Sequence, residues 1–293
     1  MCRLFGMSAG EQRARATFWL LDAPDSLAAQ SHREPDGTGL GWFDEHGAAQ
    51  LRKQPLAAYG DADFAHEARE ISSSTFVAHV RFASTGSLTL LNTHPFEQRE
   101  RLFAHNGVIE DLDVLDAQLG DARELVRGET DSERLFALIT REIERHEGDV
   151  ETGIASACQW VAANLPLLAI NLVLITERDM WALRYPETHE LHILERDPGS
   201  TLEHTSSLGT RVRSEHGASQ RLVVIASERM DDDPRWRPLA SGELVHVDRE
   251  LRVSSRRILE GPPARALTLA DLGARARASQ ARATQGATGT SAS

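Results

Sequence analysis

Two amphipathic helical stretches set between two groups of strand-like runs constrain this chain more than any other feature. In Asp131–His146 the apolar residues Leu135, Phe136, Leu138, Ile139 and Ile143 share one helical face. In Val150–Leu165 the same face carries Val150, Ile154, Ala157, Cys158, Val161 and Leu165. Ahead of them, Arg3–Met7 reads as a strand, Ser26–Ser31 as a short helix and Asp61–Ile71 as a surface helix. Asp36-Gly37-Thr38-Gly39 reads as a turn, and Leu40–Asp44, Glu45-His46-Gly47 and Gln50–Lys53 as a hairpin. Thr75–Arg81 alternates as a strand does, and Leu102–Ala104 begins another. After the helices come strands at Ile170–Thr176, Met180–Arg184, Glu190–Leu194 and Leu222–Ser227. A closing hairpin of Glu243–Val247 and Glu250–Val253 follows. Strands, helices, then strands again imply a layered α+β domain over residues 2–255, with two sheets and the helices outside.

Residues 256–293 are rich in Ala, Arg, Ser, Thr, Gln and Gly from Gly261 onward. They are expected to form a low-complexity, disordered tail with a transient helix near Leu267–Ala278. At 41% hydrophobic residues the rest of the chain can bury a sizeable core. The 32 basic against 44 acidic residues, net −12, and the lack of a basic stripe argue against nucleic acid and anionic membranes as partners. No apolar run reaches the length of a membrane span. The start lacks the pattern of a secretory signal, so a cytoplasmic protein is expected. Two cysteines, Cys2 and Cys158, supply neither a disulfide framework nor a cysteine-rich zinc site.

Four segments carry possible chemistry, each with a plain alternative. Cys2 follows Met1, and an aminopeptidase that removes Met1 would leave one residue bearing both a thiol and a free α-amine. Their ordinary pKa values, about 8.5 and about 7.7–8.0, let the amine take the thiol proton near neutral pH. A second-position cysteine is otherwise unremarked. Arg81 ends a predicted strand, where a guanidinium can bind a carboxylate in bidentate fashion or simply face solvent. Asn106-Gly107 offers an amide and a backbone N–H to an oxyanion, or forms a tight turn. Thr130 and Glu133 have capping-box spacing, so Asp131 is either a favourable helix-start charge or a ligand for an ammonium group.

Taken together and in order, these segments resemble the class II glutamine amidotransferases of the N-terminal-nucleophile hydrolase superfamily. The matching elements are Met-Cys-Arg at the start, the Arg81 segment ending in Ser84-Thr85-Gly86, and Asn92-Thr93-His94-Pro95. His105-Asn106-Gly107 and Glu129-Thr130-Asp131-Ser132-Glu133 complete them. The likeness continues through Ala226-Ser227-Glu228 and Asp231-Asp232-Asp233-Pro234 with Trp236, and spans roughly residues 2–250. It is strongest to compact members such as the γ-glutamyl amidohydrolases of ergothioneine biosynthesis. The resemblance implies a four-layered αββα sandwich and cleavage of the γ-amide of glutamine or a γ-glutamyl compound through a Cys2 thioester. It implies that Cys2 attacks, that Asn106 and the Gly107 amide hold the oxyanion, and that Arg81 and Asp131 bind the α-carboxylate and α-ammonium. Phe82, Ser84, Thr85 and His94 would line the pocket, with no metal or other cofactor. Phe82 stands where large members often carry Trp. Thr38 stands where related compact members show Trp, which leaves the leaving-group side open.

Water or a separate ammonia-accepting synthase could receive the product, and hydrolysis is the favoured expectation. A non-catalytic glutamine-binding protein on the same fold is the alternative, separated by whether blocking Met1 removal abolishes turnover. Other signals carry less. Gly37, Gly39 and Gly41 lack dinucleotide-fingerprint spacing. His189-Glu190-Leu191-His192 lacks zinc-protease spacing and is expected at the surface. Cys158 is expected to be buried packing and Asp231-Asp232-Asp233 a solvated turn.

Overall fold

The structure is a computed structural model that describes residues 2–33, 36–81, 87–199, 202–205, 211–214, 220–274 and 277. In chain order the strands begin with β1 (Arg3–Ser8), β2 (Gly37–Phe43), β3 (Ala49–Gln54), β4 (Thr75–Arg81), β5 (Phe96–Gln98) and β6 (Arg101–Ile109). They continue with β7 (Pro166–Ile175), β8 (Met180–Arg184), β9 (His192–Arg196), β10 (Leu202–Thr205), β11 (Arg211–Ser214) and β12 (Leu222–Ala226). The last are β13 (Arg237–Pro238), β14 (Glu243–Val247), β15 (Val253–Arg257) and β16 (Arg265–Ala266). The helices are α1 (Leu27–Gln30), α2 (Ala62–Glu70), α3 (Leu112–Leu119), α4 (Asp131–Arg145) and α5 (Val150–Asn164), with a π-helical turn at Phe18–Asp22.

Two sheets stack face to face. The first runs β13-β9-β12-β1-β4-β2-β3 and the second β15-β14-β8-β7-β6-β5. Side-chain alternation builds the layers. On β4, Phe76, Ala78 and Val80 join Phe18, Leu27 and Phe64 in a core under the first helical layer. Val77 points the other way and meets Leu4, Val173, Ile175 and Ile225 between the sheets. The second helical layer packs Leu135, Ile139, Cys158 and Val161 on Ile170, Leu172 and Leu174. Every residue of β7 is buried, because that strand lies between the helices and the other sheet, so its sequence is almost continuously apolar. The result is the expected α+β sandwich with helices on both outer faces. No helix among the described residues is long and apolar enough to cross a membrane.

Several boundaries move for identifiable reasons. The closing strand is Val253–Arg257 rather than Glu250–Val253. The Asp248 carboxylate accepts the Glu250 and Arg252 amides, both at 2.9 Å, and folds residues 248–252 into a turn. β9 begins at His192, not Glu190, because the Asn171 side chain takes the carbonyls of His189 and Glu190 at 3.3 and 3.1 Å. The expected tail starts too early at 256. Ile258 and Leu259 are buried, β16 pairs in parallel with β7, and Leu272 packs on Val108 and Leu168. Leu267–Leu272, expected within a helix, runs as irregular chain and turns. Positions 278–293 lie outside the described residues.

Candidate active site

Cys2 immediately precedes β1, whose next residue pairs with β4 as Arg3 opposite Val80. Strand alternation sets its direction. Leu4 lies in the inter-sheet core, and a Cβ on Gly6 would come within 2.8 Å of Val173 Cγ1. Cys2 shares that parity and so faces the second sheet, half-buried. On β4 the same parity belongs to Val77, His79 and Arg81, and Arg81 pairs with Gly37 of β2. Register therefore puts Cys2 and Arg81 at the same end of the first sheet and on its inner side.

Arg81 is buried, and its Nη1 donates to the Ser87 carbonyl at 3.3 Å. Ser87 is itself fixed. Its N–H and Oγ–H both donate to Glu129 Oε2, at 3.1 and 2.9 Å. Asn92 closes the set, donating to Ser87 O and Glu129 Oε2 while its Oδ1 accepts the Glu129 amide at 2.8 Å. Donors from Ser87, then Asn92, hold the Glu129 carboxyl below its usual range. This network ties Arg81 and Ser87 to the start of α4. Thr130 caps that helix by accepting the Glu133 amide at 3.2 Å. Glu133 turns not to Thr130, as a full capping box requires, but to the Gly128 N–H at 2.6 Å. Asp131 is buried; its Oδ2 accepts the Ile109 amide at 2.9 Å and its Oδ1 the Ser132 hydroxyl at 3.4 Å. The helix start is thus anchored two residues beyond Gly107.

Asn106 and Gly107 do not form a turn. They sit within β6, opposite Asn171 and Ile170 of β7. Gly107 is required there, since a Cβ would fall 1.8 Å from the Ala169 carbonyl oxygen. Asn106 is 1% exposed, yet neither its Oδ1 nor its Nδ2 has a hydrogen-bond partner among the described residues. A buried amide left so costs about 1–3 kcal/mol. Its parity matches Leu102 and Ala104 of the inter-sheet core, so it faces the sheet that carries Cys2.

The His94 ring lies between His79, tilted at 36°, and Phe96, edge-on at 62°, with ring centroids at 4.2 and 4.6 Å. Its backbone crosses Gly39 so closely that a Cβ there would lie 2.0 Å from His94 O. His79, His94 and His105 are all buried, and burial is the main cause lowering each pKa, His79 to about 3 and His94 well below its ordinary value. His79 and His94 lie beside Arg81, whereas the His105 ring is turned to Ser132 of α4 at 2.9 Å. Thr38 has the opposite parity. Its hydroxyl donates to Leu56 O at 2.9 Å, and it lines a cavity of about 360 Å³ with Gln54, Asp61, Phe64 and Glu67.

Phe82, Ser84 and Thr85 lie outside the described residues. Ser87, Asn92 and Glu129 were not singled out from sequence, although Asn92 and Glu129 stand inside the quoted motifs. His189 and His192, expected at the surface, are 4% and 5% exposed. Cys158 is fully buried, and burial pushes its thiol up to about 12. Asp231-Asp232-Asp233 forms a partly exposed bend, in which Asp231 Oδ1 accepts the Trp236 indole N–H at 2.7 Å and the Asp233 amide at 3.1 Å. Among the described residues no cluster of three His, Cys, Asp or Glu side chains is arranged to hold a metal ion.

The family model for class-II glutamine amidotransferases matches residues 1–259. The chain is 31% identical to the γ-glutamyl-hercynylcysteine sulfoxide hydrolase of Mycobacterium tuberculosis, over 84% of this chain and 93% of that protein. It is 28% identical to the Mycolicibacterium smegmatis protein of the same name, over 78% and 88%. A glutamine aminotransferase class-II domain protein from Silicibacter pomeroyi superposes with a TM-score of 0.58 at 20% identity, covering 88% of this chain and all of that one. The glutamine phosphoribosylpyrophosphate amidotransferase of B. subtilis gives 0.63 at 19% identity, covering 89% of this chain and 50% of that one. At these identities the two structures show a shared fold.

Proposed function

The chain belongs to the class-II glutamine amidotransferases, and from that premise we propose that it hydrolyses a γ-glutamyl amide through a thioester on Cys2. What supports the proposal is that strand register turns Cys2 and Arg81 of the first sheet and the unpartnered Asn106 amide of the second toward the space between the sheets, with Asp131 bonded to Ile109 two residues beyond Gly107. Loss of Met1 frees the α-amine of Cys2, which takes the thiol proton. The sulfur attacks the γ-carbonyl carbon, and the new oxyanion accepts from Asn106 Nδ2 and the Gly107 N–H. Collapse breaks the C–N bond, and the Cys2 ammonium gives its proton to the departing amine. Water then attacks the thioester, the α-amine takes a proton from it, and glutamate leaves as the thiol is restored. Arg81 binds the substrate α-carboxylate and Asp131 its α-ammonium. Holding the α-end fixes the amide against the sulfur, and the oxyanion donors supply about 10²–10³ in rate each.

The leaving amine is a substituted one rather than ammonia. Two mycobacterial relatives bear names that specify a γ-glutamyl conjugate. In this chain Leu56 and Tyr59 on one side, and Leu88, Leu90 and Leu91 on the other, are roughly half exposed in loops that flank the Gly37–Arg81 pair. Ammonia has no surface to cover them, whereas an apolar substituent does. The test compares kcat/KM for glutamine with that for γ-glutamyl amides of aromatic amines. Conjugates should be preferred by at least about tenfold, as one well-placed apolar group of 1–3 kcal/mol gives. Preference for glutamine would instead support supply of ammonia to a separate synthase.

A further inference from the structure

His189 is a buried polar residue with no part in the reaction above. It belongs to the His189-Glu190-Leu191-His192 segment, yet it is 4% exposed and neither ring nitrogen has a hydrogen-bond partner among the described residues. Such a group is costly unless something meets it. Two features locate it. β1 and β9 both run antiparallel to β12, and Phe5, Ala226 and His192 lie in one row across the three strands. Three residues upstream of Phe5 is Cys2, and three upstream of His192 is His189. The two therefore lie just ahead of their strands at the same end of the first sheet.

The second feature brings the 189 backbone toward the second sheet. Asn171 Nδ2 donates to the carbonyls of His189 and Glu190, Arg184 Nε donates to His189 O at 2.8 Å, and Asn171 Oδ1 accepts the Tyr185 amide at 3.1 Å. Asn171 is the cross-strand neighbour of Asn106. The loop carrying His189 is thus stapled directly beside the strand position given to the oxyanion. The electrostatic surroundings agree with this place. Burial is the largest cause lowering the ring pKa, to about 4, and the adjacent Thr188 backbone opposes it. Arg3 and His105 lower it further. Arg3 is itself paired with Glu228 at 2.6 Å.

We propose that His189 is a positioning residue for Cys2, a ring nitrogen accepting a hydrogen bond from the α-amine that loss of Met1 exposes. This rests on the thioester reaction proposed above. An acceptor on one N–H directs the amine lone pair toward the thiol proton. The bond is stronger to the ammonium than to the amine, so it also raises the basicity of the amine. No proton passes to His189, and no bond to carbon is made there.

The test uses the full chain, with Met1 loss confirmed by intact mass in wild type, His189→Leu and His189→Gln. Hydrolysis of γ-glutamyl-p-nitroanilide is followed against pH. His189→Leu should lower kcat by about tenfold with KM changed less than about twofold. The acidic limb of kcat/KM should move to lower pH, because the ammonium has lost an acceptor. His189→Gln, which keeps an acceptor oxygen, should recover part of both. A loss of activity and thermal stability with an unmoved limb would show a purely structural residue. A raised KM with unchanged kcat would put His189 against the substrate. Either result overturns the proposal. Wild type that neither turns over nor is alkylated at Cys2 would instead remove the thioester reaction, and this inference with it.

Discussion

Asn106 and Asn171 lie opposite one another on adjacent strands, both fully buried, and their surroundings differ completely. Asn171 spends its amide on three backbone groups, the Tyr185 N–H and the carbonyls of His189 and Glu190. Asn106 has no partner among the described residues for either end of its amide. The two thiols also differ in exposure, Cys158 sealed on the buried face of α5 and Cys2 half-buried. One region is closed by its own bonds, and the other holds a buried amide with no partner among the described residues. A fold tolerates that cost where the groups meet a reacting molecule.

This contrast can be broken by substitution. Asn106→Ala should cut turnover by about 10²–10³ without destabilising the fold, since no internal bond is lost and the cost of an unpaired buried amide is relieved. Asn171→Ala should lose at least about 2 kcal/mol in denaturant unfolding, because it strands three buried backbone groups. Equal destabilisation in both variants would erase the distinction. A smaller effect concerns the histidine wall. Unfolded His79 gains a proton near pH 6.5, whereas the folded ring does so only near about 3. Its contribution is fully present above about pH 6.5 and is lost as pH falls toward 3. Melting temperature should therefore drop from pH 7 to pH 4, and His79→Gln should flatten the slope. An unchanged slope would mean the wall does not set the acid sensitivity.

Much of this was legible because apolar periodicity is a local signal. The bounds of β4, β8 and β14 and the starts of α4 and α5 follow from it directly. Asn106-Gly107 was ambiguous because its local preference is for a turn. Only the approach of Ala169 O, sixty residues away in sequence, explains a glycine in mid-strand. The Ser87–Asn92–Glu129 network was invisible for a related reason, since polar loop residues have no period and the partners are up to 42 residues apart. His189 was misplaced because its burial depends on the distant Asn171 side chain. The tail was misjudged from composition, although Leu267, Leu269 and Leu272 supply an apolar set that packs on the end of β7.

The central claim is that Cys2 is an amino-terminal nucleophile, and one measurement meets it directly. Protein purified from its own cells is weighed intact and then incubated with a diazoketone analogue of glutamine. The account predicts loss of Met1 and a single adduct on Cys2 that excess substrate prevents, with Cys158 untouched. Retention of Met1, or an adduct on any other residue, would contradict it.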